Sequence, residues 1–172
     1  MKGIVLIGFM GAGKTTIGRM LSEEINVGHL DFDDVIIEEI GMTIQEYFDQ
    51  FGEEAFRKRE TEILSRYLDP KHVISTGGGI VLKEENRKLL KQMPTVVYLK
   101  TDADELVKRL KADHTSIRPL VVSKSPEEIK EVYLPRIPFY QESASLIVET
   151  TGKSPAEIVA EILATDVKQA GA

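Results

Sequence analysis

Short apolar runs alternate with amphipathic stretches along the 172 residues of this chain. Five runs read as strands: 3–8, 29–32, 72–76, 95–100 and 146–149. The best defined, VVYL at 96–99 and LIV at 146–148, are apolar at every position, so burial on both faces is expected. Between them the helical period runs over 15–25, 34–40, 44–67, 83–92, 103–111, 126–141 and 155–164. Two starts are marked chemically. Ser125 with Glu128, and Ser154 with Glu157, make capping boxes with proline at the first helical position. Beyond residue 164 the apolar periodicity fades, and fraying is expected. Strand–helix alternation of this kind belongs to the α/β class. The pattern predicts three layers, α/β/α, around a central five-stranded parallel sheet. Ligands then bind past the carboxyl ends of the strands.

Two segments break the rhythm: a helical insertion at about 34–61 and a polar, loop-like stretch at about 113–125. In a group-transfer enzyme they suit an acceptor-binding lobe and a lid. The whole, residues 1–172, is expected to be one domain with these two additions. Hydrophobic residues make up 42% of it, enough for an ordinary core. A net charge of −6 argues against a general nucleic-acid-binding surface. There is no cysteine, which excludes disulfides and thiolate metal sites and suits a reducing compartment. The opening apolar run is too short for a secretory leader, and no apolar stretch approaches the length of a membrane span. A cytoplasmic, monomeric protein without membrane or nucleic-acid partners is the expectation.

The chemistry begins after the first strand. Residues 8–15 read GFMGAGKT, the spacing of a phosphate-binding loop. Backbone N–H groups from Gly11, Ala12, Gly13, Lys14, Thr15 and Thr16 can close around an anion, aided by the start of the next helix. Lys14 reaches the outer phosphates, and the Thr15 hydroxyl is placed for Mg²⁺.

Other candidates also follow strand ends. Asp31 and Asp33, read as an extended segment, point to one side. One would hold water on Mg²⁺ and the other would orient or deprotonate a hydroxyl. Alternatively Asp33 or Asp34 caps the following helix, the preferred reading for Asp34. Gly77, Gly78 and Gly79 allow backbone to approach a ligand closely, or form a permissive loop. Arg57 has Glu53 and Glu60 at helical spacing, so a solvated ion-pair face competes with an anion site. Arg118 precedes Pro119 in the expected lid, where an arginine can stabilise a transferring phosphoryl group. Arg136 lies between Pro135 and Pro138, which should interrupt the helix there. His29, His72 and His114 have no metal-binding spacing.

Taken in order, GFMGAGKTTIG at 8–18, Asp31 and Asp33, Phe56-Arg57, the triple glycine, Arg118-Pro-Leu and Arg136 before Pro138 resemble the shikimate kinases, small P-loop kinases, over nearly the whole chain. The resemblance implies ATP- and Mg²⁺-dependent phosphorylation of the shikimate 3-hydroxyl, on the route to aromatic amino acids. It implies that Asp31 serves the metal through water and that Asp33 is the candidate base. Arg57 and Arg136 would grip the shikimate carboxylate, with Gly78 and Gly79 holding the ring. Phe48 and Phe56 would wall it, Arg109 and Pro155 would flank the adenine, and Arg118 would cover the phosphates. A gluconate-type sugar-acid kinase or a non-catalytic nucleotide-binding regulator would also need the phosphate loop.

Overall fold

The structure, a computed structural model, describes residues 3–112 and 125–170, with side chains as far as Thr165. The expected lid with Arg118, and His114, lie outside the described residues. Five strands form a parallel sheet: β1 (Ile4–Ile7), β2 (His29–Asp31), β3 (Val73–Ser75), β4 (Thr95–Lys100) and β5 (Leu146–Glu149). Their order is β2-β3-β1-β4-β5, with Ile4 in register with Val73 on one side and Thr95 on the other. The chain steps outward from β1 to β2, returns through β3, and then crosses over β1 to β4. This reversal leaves a crevice beyond the end of β1, where an open α/β sheet binds its ligand.

Burial follows from position in the sheet. All four residues of central β1 are completely buried, and β4 is nearly so. At the edge, β5 departs from the burial on both faces expected of it. Val148 is buried but Ile147 is 47% exposed, because an edge strand lacks a neighbour on one side and the helix layers stop short of covering it.

Helices α1 (Lys14–Ile25), α2 (Phe32–Ile40), α3 (Ile44–Tyr67), α4 (Glu84–Leu90), α5 (Ala103–Ala112), α6 (Pro126–Tyr133), α7 (Ile137–Ser143) and α8 (Pro155–Ala170) complete the architecture. Both capping boxes form: Glu128 N–H donates to Ser125 Oγ, and Glu157 N–H to Ser154 Oγ, with each glutamate reaching back to the cap. Four expectations need correction. First, α8 does not end near residue 164; its backbone stays helical to Ala170, since neither proline nor glycine stands before Gly171. Second, α3 is broken at Gly52, whose φ of 84° and ψ of 168° only glycine adopts readily. Helix α3 thus consists of two helical arms across a kink.

Third, β2 ends at Asp31 and α2 begins at Phe32, so Asp31 and Asp33 do not share an extended segment. Fourth, Asp31 caps α2, and Asp34 does not. Its carboxylate accepts from the N–H groups of Asp33, at 3.0 Å, and Asp34. The prolines act as expected: the run 126–141 divides into α6, a 3-10 turn at Leu134–Arg136, and α7.

Candidate functional site

A cleft of about 890 Å³ opens past the ends of β1, β2 and β3. The loop between β1 and α1 forms one wall. Gly11 and Gly13 take left-handed φ values of 86° and 95°, which turns successive backbone N–H groups inward before the helix starts at Lys14. Gly11, Gly13, Lys14, Thr15 and Thr16 line the cleft, while Ala12 is buried beneath the loop. The Lys14 ammonium is 8% exposed as a residue and donates to the carbonyls of Gly8 and Phe9 across the loop. Ser75 Oγ donates to the Lys14 carbonyl at 2.7 Å and meets His29 Nε2 at 2.9 Å, which ties the start of α1 to β2 and β3. Burial holds His29 below its usual pKa despite the neighbouring Asp31.

Asp31 stands opposite the loop. Its Oδ2 accepts from Thr15 Oγ1 at 2.8 Å, while Oδ1 caps α2. A hydroxyl and a carboxylate held together on the rim of a phosphate loop form an oxygen set suited to a hard divalent cation. Among the described residues there is no His/Cys/Asp/Glu cluster that would hold a metal by itself. Arg109 lines the same side: Nη1 donates to the Gly11 carbonyl at 3.2 Å and Nη2 pairs with Glu105 at 2.8 Å. Pro155 is exposed at the start of α8 and does not line the cleft.

The other end of the cleft combines Asp33, Arg57, Arg136, Phe48, Phe56 and the triple glycine. The glycines are required by close approach. A Cβ on Gly77 would sit 2.8 Å from Asp33 Oδ1, and one on Gly79 would collide with the Arg57 guanidinium. One on Gly78 would press on the Met10 amide at 3.2 Å. The loop after β3 can therefore lie against a carboxylate and a guanidinium at once. Arg57 spans the rings of Phe48 and Phe56 at 6.0 and 5.3 Å, and Arg136 lies 5.6 Å from the centre of Phe9.

Arg57 and Arg136 are 9% and 6% exposed. Arg57 Nε and Arg136 Nη1 lack a hydrogen-bond partner in the protein. Burial pulls the Arg136 pKa down, and the positive charge of Arg57 adds to that pull. Two desolvated cations close enough to repel each other mark a place for an anion, because an anion would relieve both costs.

Glu60 was missed as a site residue. Its spacing from Arg57 was visible, but its burial was not. It is 1% exposed, lines the cleft and pairs with Arg57 Nη1 at 3.1 Å, whereas Glu53 is exposed and 3.7 Å away. The solvated ion-pair reading therefore holds for Glu53 alone. Burial pushes the Glu60 carboxyl above its ordinary 4.5, against the pull of Arg57. The folded protein thus binds this proton more readily than the unfolded chain does. The stability Glu60 contributes is complete below 4.5 and is lost as pH rises through its raised pKa. Glu60→Gln removes that dependence. Without ligands, the wild-type Tm minus the variant Tm should fall as pH rises from below 4.5 toward neutrality. A difference that grows with pH in thermal melts would contradict burial as the dominant influence on Glu60.

Comparison with known proteins agrees with this architecture. The family model for shikimate kinase matches residues 10–166. The chain is 48% identical to a shikimate kinase of Enterococcus faecalis over 163 residues, covering 95% of this chain and 97% of that protein. It is 45% identical to one of Streptococcus gordonii, covering 92% and 96%. The solved structure of a shikimate kinase from Acinetobacter baumannii in complex with shikimate superposes with a TM-score of 0.91 at 35% identity, covering 98% of this chain and 94% of that one. By family model, sequence identity and fold alike, this chain belongs to the shikimate kinase family.

Proposed function

We propose that this chain phosphorylates the 3-hydroxyl of shikimate with ATP, as one kinase domain with its acceptor lobe at about residues 34–61. The observation that carries the acceptor assignment is the pair of buried arginines, Arg57 and Arg136, lining the same cleft as Lys14 and Asp33. A small ring with one carboxylate and several hydroxyls answers both needs. Its carboxylate takes charge-assisted bonds from the guanidinium groups. Its hydroxyls face Asp33 and the amides of Gly78 and Gly79, while Phe48 and Phe56 cover the ring.

At the donor end, the amides of Gly11 to Thr16 and the Lys14 ammonium hold the phosphates. Arg109 stands beside the nucleotide, and Arg118 of the expected lid would cover its phosphates. Thr15, and Asp31 through water, would hold Mg²⁺, which would neutralise phosphate charge. The γ-phosphoryl group moves from the bridging oxygen of ADP to the acceptor oxygen, and the hydroxyl proton passes to Asp33 or is oriented by it. Catalysis rests on positioning and charge neutralisation, with no covalent enzyme intermediate. Among the described residues no helix is long and apolar enough to cross a membrane. A monomer working in the cytoplasm fits this chemistry.

Coupled ADP release with shikimate, with gluconate and with no acceptor tests the assignment. Release should depend on shikimate. Equal release with gluconate would make the chain a sugar-acid kinase, and release indifferent to any acceptor would overturn the acceptor site altogether.

A further inference from the structure

We propose that Ser75 is a positioning residue of the nucleotide site, which aims the Thr15 amide at the phosphates through the Lys14 carbonyl, with His29 fixing the direction of its hydroxyl. The proposal rests on the reading of residues 8–16 as the loop that holds nucleotide phosphates. Ser75 is the last residue of β3, 1% exposed, and in register with Leu6 on one side and Asp31 on the other. Its side chain reaches the backbone at the start of α1. That approach requires Gly18, one helical turn beyond Lys14. A Cβ there would collide with Ser75 Oγ and sit 2.6 Å from His29 Nε2.

The direction of each hydrogen bond follows from the protons available. A carbonyl only accepts, so the 2.7 Å bond to Lys14 uses the single proton of the Ser75 hydroxyl. The 2.9 Å bond between Ser75 Oγ and His29 Nε2 must then be donated by the ring, which places a proton on Nε2. Without the ring the hydroxyl would be free to rotate. With it, a lone pair is occupied and the proton turns to the helix. The Lys14 carbonyl and the Thr15 N–H belong to one planar trans peptide and point in opposite directions. Holding the carbonyl therefore sets the direction of the N–H, and a bond accepted at the oxygen polarises that N–H as a donor. Thr15 is held a second time through its hydroxyl, by Asp31 at 2.8 Å. Two adjacent strand ends, of β2 and β3, thus grip one residue of the loop. The acceptor-side loop after β3 has its own anchor, since Thr76 donates from both N–H and Oγ1 to the Leu6 carbonyl, at 3.2 and 2.8 Å. Loss of the Ser75 hydroxyl should be felt at the nucleotide and not at the acceptor.

Ser75→Ala keeps a small buried side chain and removes the hydroxyl. Titrated with MgADP by calorimetry, it should bind about fivefold more weakly than wild type, with the KM for shikimate unchanged. His29→Ala should weaken MgADP about twofold to threefold. His29→Gln, whose amide can donate from a similar place, should restore most of that loss. In a Ser75→Ala background, His29→Ala should add nothing. Ser22→Ala is the control. It removes another buried hydroxyl of α1, bonded to the Arg19 carbonyl farther from the loop, and should leave MgADP affinity unchanged whatever it does to Tm. If Ser75→Ala lowers Tm and leaves MgADP affinity alone, Ser75 is structural and the proposal fails. Equal weakening of MgADP and shikimate would overturn it as well. A His29→Ala effect that persists in full without the Ser75 hydroxyl would remove His29 from the chain of bonds. If wild type itself binds no MgADP, the reading of the loop fails first. Should Ser75→Ala melt near the titration temperature, the contrast between His29→Ala and His29→Gln carries the test, and equal losses in the two would overturn the proposal.

Discussion

Replacing Lys14 by alanine is expected to lower kcat by about a thousandfold or more, while the fold is retained. Lys14 stands at the mouth of the inward-turned loop and reaches carbonyls on its far side. In phosphoryl transfer the charge on the moving group has to be met by groups already in place. A buried cation at the loop does this without reorganisation. Water entering the alanine variant would have to reorient instead. The loss should appear mainly in kcat, with shikimate affinity little changed, because the acceptor end is built from other elements. Steady-state kinetics with each substrate varied in turn, beside a thermal melt, measure this. A kcat within tenfold of wild type would remove Lys14 from the transition state.

Replacing Arg136 by alanine is expected to raise the KM for shikimate about a hundredfold and leave that for ATP unchanged. Loss of charge-assisted bonds to a carboxylate costs about 1.5–3 kcal/mol, and each 1.4 kcal/mol is about tenfold. Arg57→Ala should weaken shikimate binding as strongly but carries a second effect. It strands Glu60, which is buried and paired with it, at a cost of several kcal/mol in stability. Combining Arg57→Ala with Glu60→Gln should recover stability and leave the affinity low. Melting temperatures and shikimate titrations of the three variants separate the two contributions. Recovery of affinity in the double variant would mean that the arginine serves the core and does not serve the ligand.

Much of the donor site could be read along the chain because its parts are contiguous. The loop, the lysine and the threonine lie within eight consecutive residues between an apolar run and a helix, and local geometry brings them together wherever that unit folds. The proposed acceptor site is spread over α3, the loop after β3 and the turn before α7. Its arginines could be suspected from helical spacing and flanking prolines, yet their burial depends on which surfaces the sheet order brings face to face. Glu60 shows the difference. At i+3 from Arg57 it looks like half of a surface pair, and only the packing of α3 over the cleft makes it a buried counter-charge. Asp31 and Asp33 were expected together for a reason that failed, since the strand stops at Asp31. They still reach one cleft, because the Asp31 carboxylate turns the chain into α2 and sends Asp33 against Gly77.

By itself the sequence determined the α/β class, the five strands, the capped helix starts and the phosphate loop. These follow from periodicity and local hydrogen bonding within a few residues. Only the tertiary structure decided the strand order, the break at Gly52, the burial of Arg57, Glu60 and Arg136, and the bond from Ser75 to the Lys14 carbonyl. Each of these depends on contacts between segments tens of residues apart. Their energies come from desolvation and close packing, which no single stretch of sequence contains.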